Sequence, residues 1–154
     1  MKDKYLRFTI DSIHFLLSIQ YVLQVIPIVF IENLPGAPAV IQGIIQYQEE
    51  IIPVYNLRKR FLLTERNPQL SDELILIQTT KTRTALWVDR CLDLLEYSSE
   101  ELIQVPEMAT TKYIKAMVRS KDEIFLIQDV DQFLEDTETI LLNSLLLETL
   151  PTVL

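Results

Sequence analysis

Ala39-Val40-Ile41-Gln42-Gly43-Ile44-Ile45-Gln46-Tyr47 and Ile51-Ile52-Pro53-Val54-Tyr55 are two apolar arms on either side of the polar connection Gln48-Glu49-Glu50. Short apolar runs rich in β-branched residues and bounded by polar breaks read as strands, so the pair is expected to form a hairpin. Asn33-Leu34-Pro35-Gly36-Ala37-Pro38 introduces it and is the strongest turn signal in the chain, because proline and glycine favour backbone conformations that regular elements avoid. Pro53 has no amide hydrogen to offer a neighbour, which implies a sheet edge or a bulge in the second arm. Leu57 to Leu62 then reads as a brief helical turn.

The same reading extends outward. Leu6, Phe8 and Ile10 alternate with Arg7 and Thr9, Asp11-Ser12 is a turn, and Ile13 to Leu17 returns as a second hairpin arm. Ile19, Val22, Leu23 and Ile26 are spaced like one face of a short helix, which Pro27 ends. Thr64 to Asp72, with Asn67-Pro68, is a polar loop and the expected internal boundary, near residues 64–72. Strands resume over Glu73 to Thr79, Thr84 to Val88, Leu92 to Tyr97, Tyr113 to Arg119 and Ile124 to Gln128. Ser98-Ser99-Glu100-Glu101 suits one helical turn, and residues 131–150 are helical by pattern, capped by Asp129 or Asp131 and stopped by Pro151. With only Gly36 and Gly43 available, the hairpins are expected to use Asn, Asp, Ser or longer loops. About ten short strands with few helices make the chain mostly β, built from small barrels within a single domain over residues 1–154.

Composition narrows the function. The formal charge of -8 argues against nucleic acid, since phosphate binding needs concentrated Lys and Arg. Arg58-Lys59-Arg60 reads as the solvated face of one helical turn. The single cysteine, Cys91, suits a reducing cytoplasm and buried packing. Met1-Lys2-Asp3-Lys4 leads straight into a strand pattern rather than a signal peptide, and no uncharged run is long enough for a transmembrane helix. A soluble, cytoplasmic protein with no membrane insertion is expected.

No reaction centre is evident. The one histidine, His14, reads as an exposed hairpin residue. A dyad with Cys91 would need the fold to bring two distant residues together. Zinc spacings, a dinucleotide fingerprint and a calcium-loop pattern are all absent from the sequence. The chain is expected to be no enzyme, with no cofactor and no metal.

The order of elements and several local strings resemble the CheW-like chemotaxis adaptors over about Lys4 to Leu142. Ile19-Gln20-Tyr21-Val22-Leu23-Gln24-Val25 is similar to the family's "I..V.EV", and Leu34 to Ile45 to its "LP.AP..V.GV.N". Ile51-Ile52-Pro53-Val54-Tyr55-Asn56-Leu57-Arg58-Lys59-Arg60-Phe61 resembles "VVPVVDLR.RF". Ala85 to Cys91 sits where the family has "G..VD.V", Ile103 to Pro106 resembles "I.P.P", and Ile124 to Leu134 resembles the closing strand and helix. The resemblance implies two five-stranded SH3-like β-barrels around a shared core, with short helices and a C-terminal helix. It further implies a cytoplasmic adaptor that links the tip of a chemoreceptor to the regulatory domain of a CheA-type histidine kinase.

By the same resemblance, partners bind at Val22, Gln24, Gly43, Ile44, Gln48, Glu49 and Arg58, with Val22, Gly43, Ile44 and Gln48 meeting at a cleft between the barrels. Several of these positions depart from the family. Its "NLRG" is replaced by Gln46-Tyr47-Gln48-Glu49, its helix glutamate by Gln24, and its aspartate by Asn56. Neutral amides thus stand at two positions of opposite charge, and Gln24 could hydrogen-bond Gln48. A second reading is therefore a scaffold adapted to a different partner. Small-ligand binding is a third, to be revived by a deep pocket beside His14 or Cys91. Leu142, Leu145, Leu146 and Thr149 form one stripe of the expected C-terminal helix, widened by Ile140 and Leu141. That stripe either packs back on the second barrel or allows self-association.

Overall fold

The structure, a computed structural model, describes residues 1–79, 82–109 and 111–132. Its ten strands among these residues are β1 (Lys2–Ile10), β2 (Ile13–Ser18), β3 (Val22–Pro27), β4 (Ile41–Tyr47), β5 (Glu50–Asn56), β6 (Glu73–Gln78), β7 (Arg83–Val88), β8 (Arg90–Ser98), β9 (Ile114–Ser120) and β10 (Glu123–Gln128). One helical turn, α1 (Leu57–Arg60), follows β5, and residues 130–132 begin a helix after β10. The remainder of the expected C-terminal helix lies outside the described residues.

The strands form two five-stranded sheets. The first runs β8-β1-β2-β10-β9 and the second β3-β6-β7-β5-β4. A single bridge joins the segment after β8 to β9 (Ile103↔Met117), and another joins the segment after β3 to β4 (Glu32↔Ile44). Alternation sends apolar side chains to both faces of each sheet. Phe8, Ile10, Phe15 and Leu17 of the first sheet meet Tyr55, Ile75, Ile77, Leu86 and Val88 of the second in a common core. Each sheet forms a barrel that is not fully closed; Leu16, Val118, Phe125 and Ile127 fill the first, while Val54, Leu74, Leu76 and Trp87 fill the second. The shared core expected from the family resemblance is therefore present.

The two barrels are duplicates in topology. Each has an antiparallel hairpin (β1–β2, β6–β7) joined in parallel to a strand (β10, β5) that leads into a helix. Even the irregularities recur. Ile41↔Tyr55 and Gly43↔Val54 correspond to Ile114↔Gln128 and Ala116↔Ile127, with a bulge between the pairs in both ladders. Val22↔Ile77 and Gln24↔Leu76 correspond to Cys91↔Phe8 and Asp93↔Arg7, again across a bulge. Asn56 caps α1 by accepting from the Lys59 amide at 3.0 Å, and Asp129 accepts from the Gln132 amide at 3.2 Å. The second barrel is continuous in sequence and inserted between β2 and β8 of the first.

Four expectations need correction. The segment from Ile19 is a 3-10 turn over Ile19–Tyr21 followed by strand β3, not one helix. The β3 bulge skips Leu23, so inward positions fall three apart at Val22 and Val25 and imitate helical spacing. The loop 64–72 connects two parts of the same sheet; the chain crosses between sheets at residues 18–22 and 88–90. The β4–β5 hairpin is tight without glycine, with Gln48 at φ 48° and Glu49 at φ 67°, the left-handed pair of a type I′ turn. Arg58-Lys59-Arg60 is not a solvated face: Arg58 is 2% exposed, and the other two are half-buried.

Both glycines have a physical reason. Gly36 (φ +82°) is the third residue of a Pro35-Gly36 turn in which the Ala37 amide donates to the Leu34 carbonyl at 3.1 Å. A Cβ on Gly43 would lie 2.3 Å from the Glu32 carbonyl oxygen, so the Glu32↔Ile44 bridge requires its absence. Gly43→Ala should cost about 1–3 kcal/mol through this overlap. Glu49→Gly should gain about 1 kcal/mol by relieving a left-handed residue. Leu62→Gly should gain as much, because Leu62 (φ 57°) terminates α1 where glycine is usual. Urea denaturation of the three variants measures all of these changes.

Candidate functional site

The β4–β5 turn, the β3 bulge and the start of β7 converge at one end of the second barrel. Leu23, Gln24, Tyr47, Gln48, Glu50 and Arg83 line a cavity of about 220 Å³ there, floored by Ile52 and Leu76. The Tyr47 hydroxyl donates to Gln24 Oε1 at 2.9 Å, and Arg83 is paired with Glu50. Gln24 and Gln48 thus share a cavity, but Gln24 bonds Tyr47. Leu23, pushed out by the bulge, is 49% exposed and gives the rim an apolar contact point.

The other expected docking residues fall elsewhere. Val22 is half-buried against the shared core. Gly43 is buried under Glu32, and Ile44 lines a separate cavity of about 220 Å³ with Val29, Phe30, Glu32 and Gln46. Phe30 is 81% exposed beside it. Gln48 and Ile44 thus border separate cavities, while Val22 packs on the shared core and Gly43 lies beneath Glu32. Leu23, Tyr47, Phe30 and Arg83 were missed from the sequence. A bulge that reverses the facing of Leu23 has no local sequence mark.

Arg58 belongs to an internal network. Its Nη2 donates to Asp11 Oδ1 at 2.9 Å and to Asp89 Oδ1 at 2.8 Å, and its guanidinium lies 5.8 Å from the Trp87 ring centre. Arg66 makes two bonds to Asp72 (2.8 and 2.7 Å) and one to Asp89 (2.8 Å). Trp87 Nε1 and the Gln69 amide also donate to Asp72, at 2.9 and 2.8 Å. Burial pushes the Asp72 carboxyl up, but the bonds from Arg66, Gln69 and Trp87 outweigh it and hold the pKa below its ordinary value.

His14 is half-buried rather than exposed. Its Nε2 lies 3.1 Å from Glu123, its ring packs on Phe125, and Arg7 approaches Nδ1 at 3.4 Å. Burial, with a smaller effect from Glu73, pushes the Cys91 thiol up to about 12, so it is protonated at neutral pH. Neither residue lines the cavities at the barrel ends.

The model of the CheW-like domain matches residues 4–138. The chain belongs to the CheW-like family. It is 26% identical over 129 residues to the chemotaxis protein CheW of Treponema pallidum (strain Nichols), covering 79% of this chain and 76% of that protein. Its fold is similar to the crystal structure of the scaffolding protein TtCheW from Thermoanaerobacter tengcongensis, with a TM-score of 0.77 and 25% identity over 84% of this chain and 90% of that one. The CheW-like family is one of adaptors and scaffolds in chemotaxis signalling, and the mostly β fold of paired five-stranded sheets agrees with it.

Two measurements probe this chemistry. A folded-state pKa held below the unfolded value stabilises the protein above the unfolded pKa and is lost as pH falls through both. Asp72→Asn should therefore lower stability at pH 7 and flatten its decline below about pH 4, as read by denaturant titrations across pH. Cys91 should resist a thiol-specific disulfide reagent at pH 8 in the native protein and react at once in urea.

Proposed function

We propose that this chain is a cytoplasmic chemosensory adaptor that couples a chemoreceptor's cytoplasmic tip to the regulatory domain of a CheA-type histidine kinase by docking alone, without catalysis. The observation that carries this reading is the apolar and amide-bearing border of the second barrel, formed by Leu23, Gln24 and Gln48 at one patch and Ile44 and Phe30 at the next. It occurs on a chain of the CheW-like family. Exposed apolar side chains rimmed by polar ones suit protein contact. Within this reading Gln24, Ile44, Gln48 and Glu49 touch the partner, Val22 and Gly43 shape the surface beneath, and Arg58 serves only the interior.

The replacements at Gln24, Gln48 and Glu49 favour a second reading, in which the same border binds a different partner. The neutral amides supply hydrogen bonds, each about 1 kcal/mol net, but no charge to match a charged partner. Self-association through residues 139–150, whose sequence is strongly apolar, is the other form of that reading.

Leu23→Glu and Gln48→Glu should each weaken binding to the kinase regulatory domain or the receptor tip by about tenfold or more, the effect of losing one central contact. Their melting temperatures should stay within a degree or two of the parent's. Calorimetric titration of the parent with both partners comes first. If neither binds while co-purification from the native cell returns an unrelated protein, the second reading replaces the first. Truncation after Asp136 that changes sedimentation but not melting would assign self-association to the tail.

A further inference from the structure

The duplication allows each barrel end to be compared with its counterpart. Where α1 begins, the second barrel is filled from within. Trp87 occupies the end, and the Arg66 guanidinium lies 5.8 Å from the ring centre, bonded to Asp72 and Asp89. The ladders equate Leu74↔Trp87 with Tyr5↔Ser18 and Ile41↔Tyr55 with Ile114↔Gln128. Continuing along the strands, Asp3 stands at the position of Asp72, and Asp131 at that of Arg58.

At this place the first barrel has a cavity of about 340 Å³, lined by Asp3, Ser18, Lys115, Gln128, Asp129 and Asp131, among others. The indole has become a hydroxymethyl group, which opens the space. The carboxylate that receives the arginine is retained. Among the described residues that line the cavity there is no arginine in the place of Arg66, which in the second barrel comes from the loop after α1. Three carboxylates face one lysine, so the lining favours a cation.

A second observation is independent of the comparison. Gln128 forms part of the cavity wall, is only 3% exposed, and neither its Nε2 nor its Oε1 has a hydrogen-bond partner among the described residues. A buried amide left unbonded is costly. A guanidinium has donors for Oε1, and the peptide carbonyl of the same arginine would take the Nε2 hydrogens.

We propose that this end of the first barrel is a socket for a guanidinium group, brought to it on an arginine side chain of another protein. The second barrel fills the equivalent socket with its own Arg66.

The test uses the full chain and three probes: N-acetyl-L-arginine methylamide, its neutral isostere N-acetyl-L-citrulline methylamide, and free L-arginine. Side-chain and backbone amide NMR signals of Gln128, Ser18 and Asp3 are followed. The blocked arginine should shift them saturably and bind about tenfold more tightly than the citrulline compound. Asp3→Asn should weaken arginine binding to the citrulline level with the melting temperature unchanged. Ser18→Trp, which copies the second barrel, should abolish binding; if it fails to fold, Asp3→Asn decides. Equal binding of arginine and citrulline, no shift at Gln128, or unaltered binding by Asp3→Asn would overturn the socket. Free L-arginine binding at least as tightly as the blocked compound would overturn its assignment to a protein-borne side chain.

Discussion

Asp89 lies where the chain leaves the second sheet for the first, and it receives hydrogen bonds from Arg58, from Arg66 and from the backbone amide of Asp11. Its own amide donates to the Thr9 carbonyl at 3.0 Å. One carboxylate thus ties α1, the long loop before β6, the β1–β2 turn and the crossing strand together. Arg58 makes the arrangement obligatory, because a buried guanidinium without its carboxylates would cost about 3–5 kcal/mol. The Trp87 ring beside both arginines removes water from the knot and supports the cations with its face. The position of one barrel against the other is fixed there, at the rim of the common apolar core.

Most of the architecture is legible as period-two patterning because each strand presents apolar residues to a defined face. Leu6, Phe8 and Ile10, or Leu74 and Leu76, need only that rule. Reading failed where backbone irregularity altered the phase. Leu23 is the extra residue of a bulge, so the β3 pattern drifts into helical spacing. Gln48 and Glu49 adopt left-handed conformations that their side chains do not announce. Arg58 looked like part of a charged surface because its partners, Asp11 and Asp89, lie far away in sequence.

The same limits apply to the site. The family resemblance pointed to the stretches that form β3, β4 and the β4–β5 turn, and residues of these do border one end of the second barrel. It could not divide their residues between a surface and its support. That division depends on which side of the bulge a residue falls and on the closeness of Glu32 to Gly43. The duplication was hidden for another reason. The second barrel interrupts the first, so the equivalent strands occur in permuted order, and a scan for successive repeats would not align them. Pairs such as Tyr55 and Gln128, or Trp87 and Ser18, share a register position and almost no chemistry.

Permutation also explains how one duplicated fold can carry unlike surfaces. In the second barrel, the chain after α1 must return to β6, and its loop passes over the barrel end and leaves Arg66 there. In the first barrel β1 precedes β10 in the chain, so no connection like that from α1 to β6 joins those two elements. Connectivity thus lets the two ends differ while the ladders stay alike. Because both sheets are buried on two faces, changes at either end need not disturb the other. A docking protein gains from that separation, since each surface can change its chemistry while the core keeps the two at a constant distance and angle.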